Sequence, residues 1–452
     1  MTSKLQPASS NQHPVIVELV DILIKNGSVL TMDPQNTLIE KGAVAVSADR
    51  IVEVGTEDAL TASYQAAKTI DARGGIIMPG LVNTHTHAAM TCFRGLADDM
   101  PLMTWLNDYI LPAEAKLTFD TVYQGTLLAC SEMILSGTTT FCDMYLFEEA
   151  VAQAARETGM RALAGEVIYD FPSPNYGPLE EGFKYTEVLI EKWRDDPLIT
   201  IAVEPHSPYV CSPELLQKAR AIADRNGVPM VIHLAETERE VAQIREEYGR
   251  TPVAHLADIG FLSPNLIADH CVVLTAEDMV LLKDFDVKVA HNPESNMKLA
   301  SGVAPIPELL KHGITVGIGT DGCASNNNLD MFQEMDTAAK LHKVHTLDPT
   351  VMDARTVVRM ATIDGARVLG MGAITGSLEA DKKADIIVID IRRPHLIPLY
   401  NIYSHLVYAV TGSDVVTAIV NGRVLMEERI LATIDVDEVM AAVNRIAQSI
   451  KG

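Results

Sequence analysis

Positive charge is in short supply in this sequence. Its 452 residues carry 36 Lys and Arg against 60 Asp and Glu, a formal net charge of −24 at pH 7. So acidic a chain argues against nucleic acid or an anionic membrane surface as partner, and for a soluble, freely diffusing protein acting on a small molecule. Long apolar runs are also missing, since none approaches the ~20 residues of a membrane span. Cysteine is sparse: six, at positions 92, 130, 142, 211, 271 and 323, with no Cys-x-x-Cys pair. Neither a thiolate zinc site nor a disulfide scaffold is indicated, and a reduced cytoplasm suits them. Residues 1–14 are polar, without the basic start, apolar stretch and cleavage-like site of a leader, and read as a disordered tail.

What is present fits an enzyme. A 48% hydrophobic, 21% charged composition is ordinary for a soluble globular protein, and the length permits two or three domains or one large barrel with an attachment. The two ends look alike. Residues 20–32 read as a strand, a turn at Asn26-Gly27 and a second strand, and residues 43–54 as a hairpin around Asp49-Arg50. Residues 386–389 and 416–426 repeat the style, with Ile-Val-Asn-Gly-Arg-Val-Leu at 419–425 echoing Ile-Lys-Asn-Gly-Ser-Val-Leu at 24–30. One small β-sandwich built from both termini is expected, its parts at 15–78 and 379–430, followed by a C-terminal helix over 431–452.

Between them, over 79–378, short apolar runs alternate with helix-like stretches, the rhythm of a parallel α/β sheet or barrel. Eight runs stand out, at 81–87, 138–144, 161–167, 200–206, 230–236, 266–273, 288–292 and 315–321, and eight closes a (β/α)8 TIM barrel. Amphipathic helices are expected over 121–136, 213–226 and 329–342. The strand-like runs end in His85 and His87, Asp143, His206, His233 with Glu236, His270, His291 and Asp321. Barrel enzymes place their active sites at these C-terminal strand ends.

The pair His85 and His87, two apart on a strand, point the same way and could close on one metal ion. Alone, a His-x-His is as well read as a strand end with two solvated or core-satisfied rings. The later strand ends tip that balance. Imidazole nitrogen and carboxylate oxygen at about 2.0–2.2 Å are the usual ligands of a catalytic zinc that keeps one position open for water. His85, His87, His233 and Asp321 supply three imidazoles and a carboxylate, and such a site lowers the pKa of bound water toward ~7. Glu236, three residues after His233, is placed to act as the acid–base group beside it. Fe²⁺ and Mn²⁺ accept the same ligands.

As a set, Pro-Gly-Leu-Val-Asn-Thr-His-Thr-His at 79–87, His-Leu-Ala-Glu-Thr at 233–237, Ala-Asp-His-Cys at 268–271, His-Asn-Pro-Glu-Ser-Asn at 291–296 and Gly-Thr-Asp-Gly-Cys-Ala-Ser-Asn-Asn at 319–327 resemble the amidohydrolase superfamily. Within it they look like the mononuclear-zinc aminohydrolases that act on ring C–NH2 groups, most closely the 5-methylthioadenosine/S-adenosylhomocysteine deaminases. The resemblance implies one zinc per chain on His85, His87, His233 and Asp321, with Asp321 also taking a proton from the attacking water. Glu236 would deliver a proton to purine N1, and His270 would hydrogen-bond the hydroxide. His206 and Glu114 would contact the substrate, Glu114 at the ribose hydroxyls, and Trp105 would form an aromatic wall. No lysine ends the third, fourth or fifth strand, which supports one metal rather than a bridged pair. His291, Ser295 and Asn296 are candidates to support the pocket, while His255, His312, His342, His345, His395 and His405 read as structural.

The activity so implied is zinc-dependent deamination of an adenosine-type nucleoside at C6, with a triazine or free-base aminohydrolase as the alternative and a non-catalytic assembly protein disfavoured by the complete ligand set. Association into a homo-oligomer is expected of such a barrel. One departure bears on substrate. Relatives that deaminate S-adenosylhomocysteine carry arginines between the third and fourth barrel strands, whereas residues 163–186 contain none, and Glu166 and Pro178 occupy the two places. Tyr169, Phe171, Pro172, Pro174 and Tyr176 make the same stretch apolar, better matched to a methylthio group than to a zwitterion.

Overall fold

The structure is a computed structural model and describes residues 17–100 and 104–451; the tail expected at 1–14 lies outside the described residues. Five strands come first: β1 (Glu18–Leu30), β2 (Leu38–Ser47), β3 (Arg50–Thr56), β4 (Tyr64–Asp71) and β5 (Ile76–Pro79). β2 and β3 form the expected hairpin, turning through Ala48-Asp49. Asn26-Gly27 does not. β1 runs through it, with Asn26 at φ 57 and a bulge between Ile24 and Gly27. There β1 exchanges neighbours, lying parallel to β4 as far as Lys25 and to β5 from Ser28. A Cβ on Gly27 would stand 2.9 Å from the Ala72 Cβ and the Gly75 carbonyl, so the crossing needs glycine. Left-handed backbone at Asn-Gly serves a bulge as well as a turn, and for that reason the dipeptide alone cannot tell them apart.

The middle of the chain contains β6 (Leu81–Thr86), β7 (Thr138–Tyr145), β8 (Arg161–Ile168), β9 (Ile199–Ile201), β10 (Glu204–Pro205), β11 (Met230–Leu234), β12 (Leu266–His270), β13 (Lys288–His291) and β14 (Val316–Ile318). All eight sequence-predicted runs form strands, the fourth in two pieces, β9 and β10. They pair in parallel as two sheets, β6 to β10 and β11 to β14. The Val231 N–H to Val203 O bond at 3.2 Å closes one seam, and the Asp321 N–H to His85 O bond at 2.9 Å closes the other. The result is a (β/α)8 barrel. Every residue of β7 and β8 is buried, as parallel strands covered on both faces require. The second seam rests on glycine, because a Cβ on Gly319 would lie 2.7 Å from the His85 nitrogen.

Helices cover the barrel, and their ends follow their caps. The helix Pro213–Asn226 starts from Ser212, whose hydroxyl accepts the Leu215 N–H, and stops at Gly227, φ 66. The last of the three expected helices runs over Met331–Thr346 because Asp330 caps it. Among the described residues no helix is long and apolar enough to cross a membrane.

Strands β15 (Ile386–Ile389), β16 (Val415–Val420), β17 (Arg423–Glu427) and β18 (Ile430–Leu431) complete the first sheet. Its nine strands run β18-β17-β16-β15-β5-β1-β2-β3, with β4 beside β1, so both chain ends share one ladder. A common core joins Ile22, Val44 and Ile77 to Ile386, Val388 and Ile419. Here Asn421-Gly422 is a true hairpin turn, with φ 50 and 76 between the paired Val420 and Arg423. Only Gly80 separates β5 from β6, which ties the sheet to the strand carrying His85. A buried pair strengthens the joint: Arg161, at the start of β8, donates to both Asp385 oxygens at 2.9 and 3.2 Å. Asp385 also accepts from Thr375 and the Asn421 N–H, which leaves neither charge unpaired. Beyond the sheet, the helix Val436–Lys451 packs on the helix Phe119–Leu135.

Candidate active site

Five imidazoles and a carboxylate meet at the C-terminal end of the barrel. Alternation along β6 sends His85 and His87 to one side, their ring centroids 4.9 Å apart, and His233 at the end of β11 lies 5.1 Å from His85 and 5.5 Å from His87. One nitrogen from each of these three falls within 4.8 Å of the others, and the same spacing joins a nitrogen each of His85 and His270 to a carboxylate oxygen of Asp321. Asp321 Oδ1 stands 3.6 Å from His85 Nε2 and 3.1 Å from His87 Nε2.

Each of the three rings has its other nitrogen engaged. His85 Nδ1 lies 3.0 Å from Asp269 Oδ2, His87 Nδ1 bonds the Met144 carbonyl, and His233 Nδ1 is 2.9 Å from the His206 carbonyl. That fixes ring orientation and leaves three Nε2 atoms directed inward, the arrangement by which acceptors behind metal-binding histidines set tautomer and basicity. Asp321 is held too, its Oδ2 accepting from Ser295 Oγ at 2.6 Å and its Oδ1 from the Gly322 N–H at 2.7 Å.

The residues fit a divalent cation. Neither buried nitrogen of His85 completes a hydrogen bond: Nδ1 has Asp269 at ion-pair distance, whereas Nε2 has Asp321 only at 3.6 Å, an orphan that a metal would satisfy. Burial alone would keep His85 neutral, but Asp269 and Asp321 outweigh it and raise its pKa to about 10. Three imidazoles with one carboxylate are a donor set for zinc and its neighbours in the first transition row.

A cavity of about 860 Å³ opens over these residues, bounded by His87, His206, His233, Glu236, His270 and Asp321 at its floor. Sequence reasoning proposed all six for the site. His206 sits against Ser207 Oγ at 2.9 Å, and burial with the neighbouring rings lowers its pKa to about 3, so it is a neutral ring at physiological pH. His270 Nδ1 rests 2.9 Å from Asn296 Oδ1. Ser295 and Asn296, read as supports from sequence, therefore hold Asp321 and His270 respectively. Glu236 is half-buried and stands on an elbow between β11 and the helix Glu238–Tyr248.

The upper walls are aromatic. Trp105, 8% exposed, lines the cavity, as does Glu114, whose Oε1 accepts the Tyr145 hydroxyl at 2.9 Å. Burial pushes Glu114 up to about 7 against the pull of that hydroxyl. Tyr169 and Phe171 also line it, stacked at 3.8 Å between centroids. Glu166 is a correction. Rather than facing substrate it is fully buried outside the cavity lining, bonded by the Glu148 N–H at 2.9 Å and Asn175 Nδ2 at 2.8 Å. Pro172, Pro174, Tyr176 and Pro178 are likewise absent from the lining, and Arg239 is the cation found there. Asp143 is also turned inward, its Oδ1 receiving the Ala88 N–H. His291 is buried against His342, Nε2 to Nε2 at 3.0 Å, so these two support each other behind the site.

Three residues of the site went unread in the sequence: Asp269, Tyr145 and Glu240. Strand alternation places Asp269 opposite its neighbour His270, but His270 takes φ 70 and the rule fails there. Glu240 had a signal, the Thr-x-x-Glu pattern of a helix start at 237–240.

Comparison with known proteins finds relatives over nearly the whole chain. Residues 76–425 match the family model described as the amidohydrolase family. A 5-methylthioadenosine/S-adenosylhomocysteine deaminase of Syntrophobacter fumaroxidans is 61% identical over 431 residues, 95% of this chain and 98% of that protein. A 5'-deoxyadenosine deaminase of Methanosarcina mazei is 45% identical over 434 residues, 96% and 99% of the two chains. An adenosine deaminase from Xanthomonas campestris, solved with bound zinc, superposes with a TM-score of 0.95 at 39% identity, covering 96% of this chain and 99% of its own.

Proposed function

The chain belongs to the amidohydrolase family, and we propose on that footing that it is a metal-dependent hydrolase removing the C6 amino group of an adenosine-type nucleoside as ammonia. The observation that carries the proposal is the convergence of the His85, His87 and His233 rings, each with its Nδ1 anchored, with Asp321 beside the first two, at the floor of a nucleoside-sized cavity. His85, His87, His233 and Asp321 would hold one divalent ion, with zinc the proposed metal. When bound, the ion supplies Lewis acidity that makes a water nucleophilic at neutral pH.

The chain's own groups do the rest. Asp321, steadied by Ser295, takes one proton from the attacking water and passes it to the departing amino group. Glu236 gives its proton to ring N1 as the oxygen adds at C6, and regains the second water proton as that oxygen becomes a carbonyl. Water and nucleoside thus leave as the 6-oxo nucleoside and ammonia, in balance. His270, with Nδ1 on Asn296, has Nε2 free to orient the entering oxygen. His206 is a neutral contact for the ring. Glu114 would bind the ribose hydroxyls, with Tyr145 fixing its carboxyl, and Trp105 would cover the substrate. The Glu114 contact favours a nucleoside over a triazine or a free base, which have no ribose.

The experiment is a deamination screen on the metal-loaded protein, measuring ammonia release from adenosine, 5'-methylthioadenosine, S-adenosylhomocysteine, guanine, cytosine and aminotriazines. Turnover confined to the nucleosides is expected. Turnover of a triazine or a free base with none of the nucleosides would reverse the assignment.

A further inference from the structure

Beyond β11 the chain turns through Ala235, which holds φ 51, a left-handed conformation that a Cβ-bearing residue adopts only against resistance. The polar groups of this elbow are taken up from two directions. The Ala235 carbonyl accepts the N–H groups of Val272 and Val273 at 3.0 and 2.9 Å. The two N–H groups, of Ala235 and Glu236, both go to one side chain: Glu240 Oε1 at 2.9 Å and Glu240 Oε2 at 2.8 Å. Glu240 is itself fixed, 4% exposed in the first turn of the helix Glu238–Tyr248, with its own N–H on Thr237 Oγ1 at 3.2 Å.

Helix capping does not account for this contact. In a capping box the glutamate would return to the N–H of the capping threonine. Glu240 reaches past Thr237 to the two residues before it, and one of them carries the candidate acid. Glu236 is only half-buried, so packing leaves its direction loose, while two bonds from consecutive N–H groups to the Glu240 carboxyl fix the backbone from which it projects. Aim matters here, because a proton donor must lie within hydrogen-bond reach of the atom it serves.

We propose that Glu240 is a positioning residue for the deamination, acting through Glu236 by clamping the Ala235–Glu236 elbow, an inference that rests on reading Glu236 as the acid–base group. Both Glu240 oxygens are engaged with backbone, so its part is geometric rather than chemical. Replacement by glutamine keeps the size and one acceptor oxygen but sets an NH2 against the other N–H. Replacement by alanine removes both bonds.

The test is a double-mutant cycle on the full-length, metal-loaded protein with 5'-methylthioadenosine as substrate, comparing Glu236→Gln, Glu240→Gln, Glu240→Ala and each Glu240 change combined with Glu236→Gln. A displacement of about 1 Å in a reacting group can cost about 10²-fold, so Glu240→Ala is expected to lower kcat by about that much, and Glu240→Gln by less, with KM and bound metal little changed. In the Glu236→Gln background neither Glu240 change should lower kcat further. If Glu240→Ala does not fold, the isosteric Glu240→Gln carries the cycle. Losses that multiply across the two sites, or a raised KM at unchanged kcat, would overturn the positioning role while leaving Glu236 in place. Full kcat in Glu236→Gln alone would instead remove Glu236 as the acid–base group, and the role of Glu240 with it.

Discussion

Asp269 Oδ2 lies 3.0 Å from His85 Nδ1, and both side chains are wholly inaccessible to solvent. The two come from β6 and β12, strands separated by β13 and β14, so the contact spans the barrel interior. A buried carboxylate behind one imidazole does two things: it fixes the ring with Nε2 inward, and it strengthens that nitrogen as a donor. Asp269→Asn should therefore keep the fold but weaken divalent-metal binding by about 10–100-fold, the usual effect of losing such a partner. Competition against a chelator of known affinity measures it, and unchanged affinity would mean the pair serves packing alone.

Substrate preference follows from the wall rather than from the metal. Tyr169 and Phe171 stack on one side of the cavity, and Glu166, which the sequence placed beside the substrate, is buried elsewhere. A zwitterionic substituent would find Arg239 as its cationic contact in the lining, whereas a methylthio group meets apolar surface directly. The expectation is a higher kcat/KM for 5'-methylthioadenosine and adenosine than for S-adenosylhomocysteine. Equal or greater efficiency with S-adenosylhomocysteine would assign the carboxylate a receptor that the aromatic wall does not provide.

Glu166 instead bears on stability. Burial raises its pKa from 4.5 to about 7, despite the bonds from Glu148 and Asn175 that pull the other way. Between those values the folded chain holds a proton that the unfolded chain has lost, so this group's contribution falls as pH rises through the window and is flat above it. The loss amounts to about 3 kcal/mol at most. Glu166→Gln, with the Asn175 amide turned over to present its oxygen, should flatten the pH dependence and leave the variant more stable than the parent at pH 8. Urea midpoints at pH 5 and pH 8 for the two proteins measure this, and parallel pH profiles would contradict it.

Much of the site could be read before any coordinates because its chemistry is concentrated at strand ends. His85 and His87 obey strand alternation, and His233, His270 and Asp321 each fall in the C-terminal part of a run expected to be a strand. Local rules failed where backbone conformation was set by distant partners. Asn26-Gly27 became a bulge because β1 had two neighbours to serve in succession, while Asn421-Gly422, with one, became a hairpin. Asp269 was missed because the left-handed turn at His270 puts neighbouring residues on the same side. The clamp by Glu240 was hidden inside an ordinary helix-start pattern, and only the partners of its carboxyl, the Ala235 and Glu236 N–H groups, distinguish the two uses.

The central claim, one divalent ion on His85, His87, His233 and Asp321 serving hydrolysis, is tested most directly by stepwise reconstitution. Metal-free protein is titrated with zinc, and ammonia release from 5'-methylthioadenosine is followed at each addition. Activity should be absent without metal, rise in proportion to bound zinc and break to a plateau at one ion per chain. A plateau reached only at two ions, or full turnover in the metal-free protein, would contradict the account.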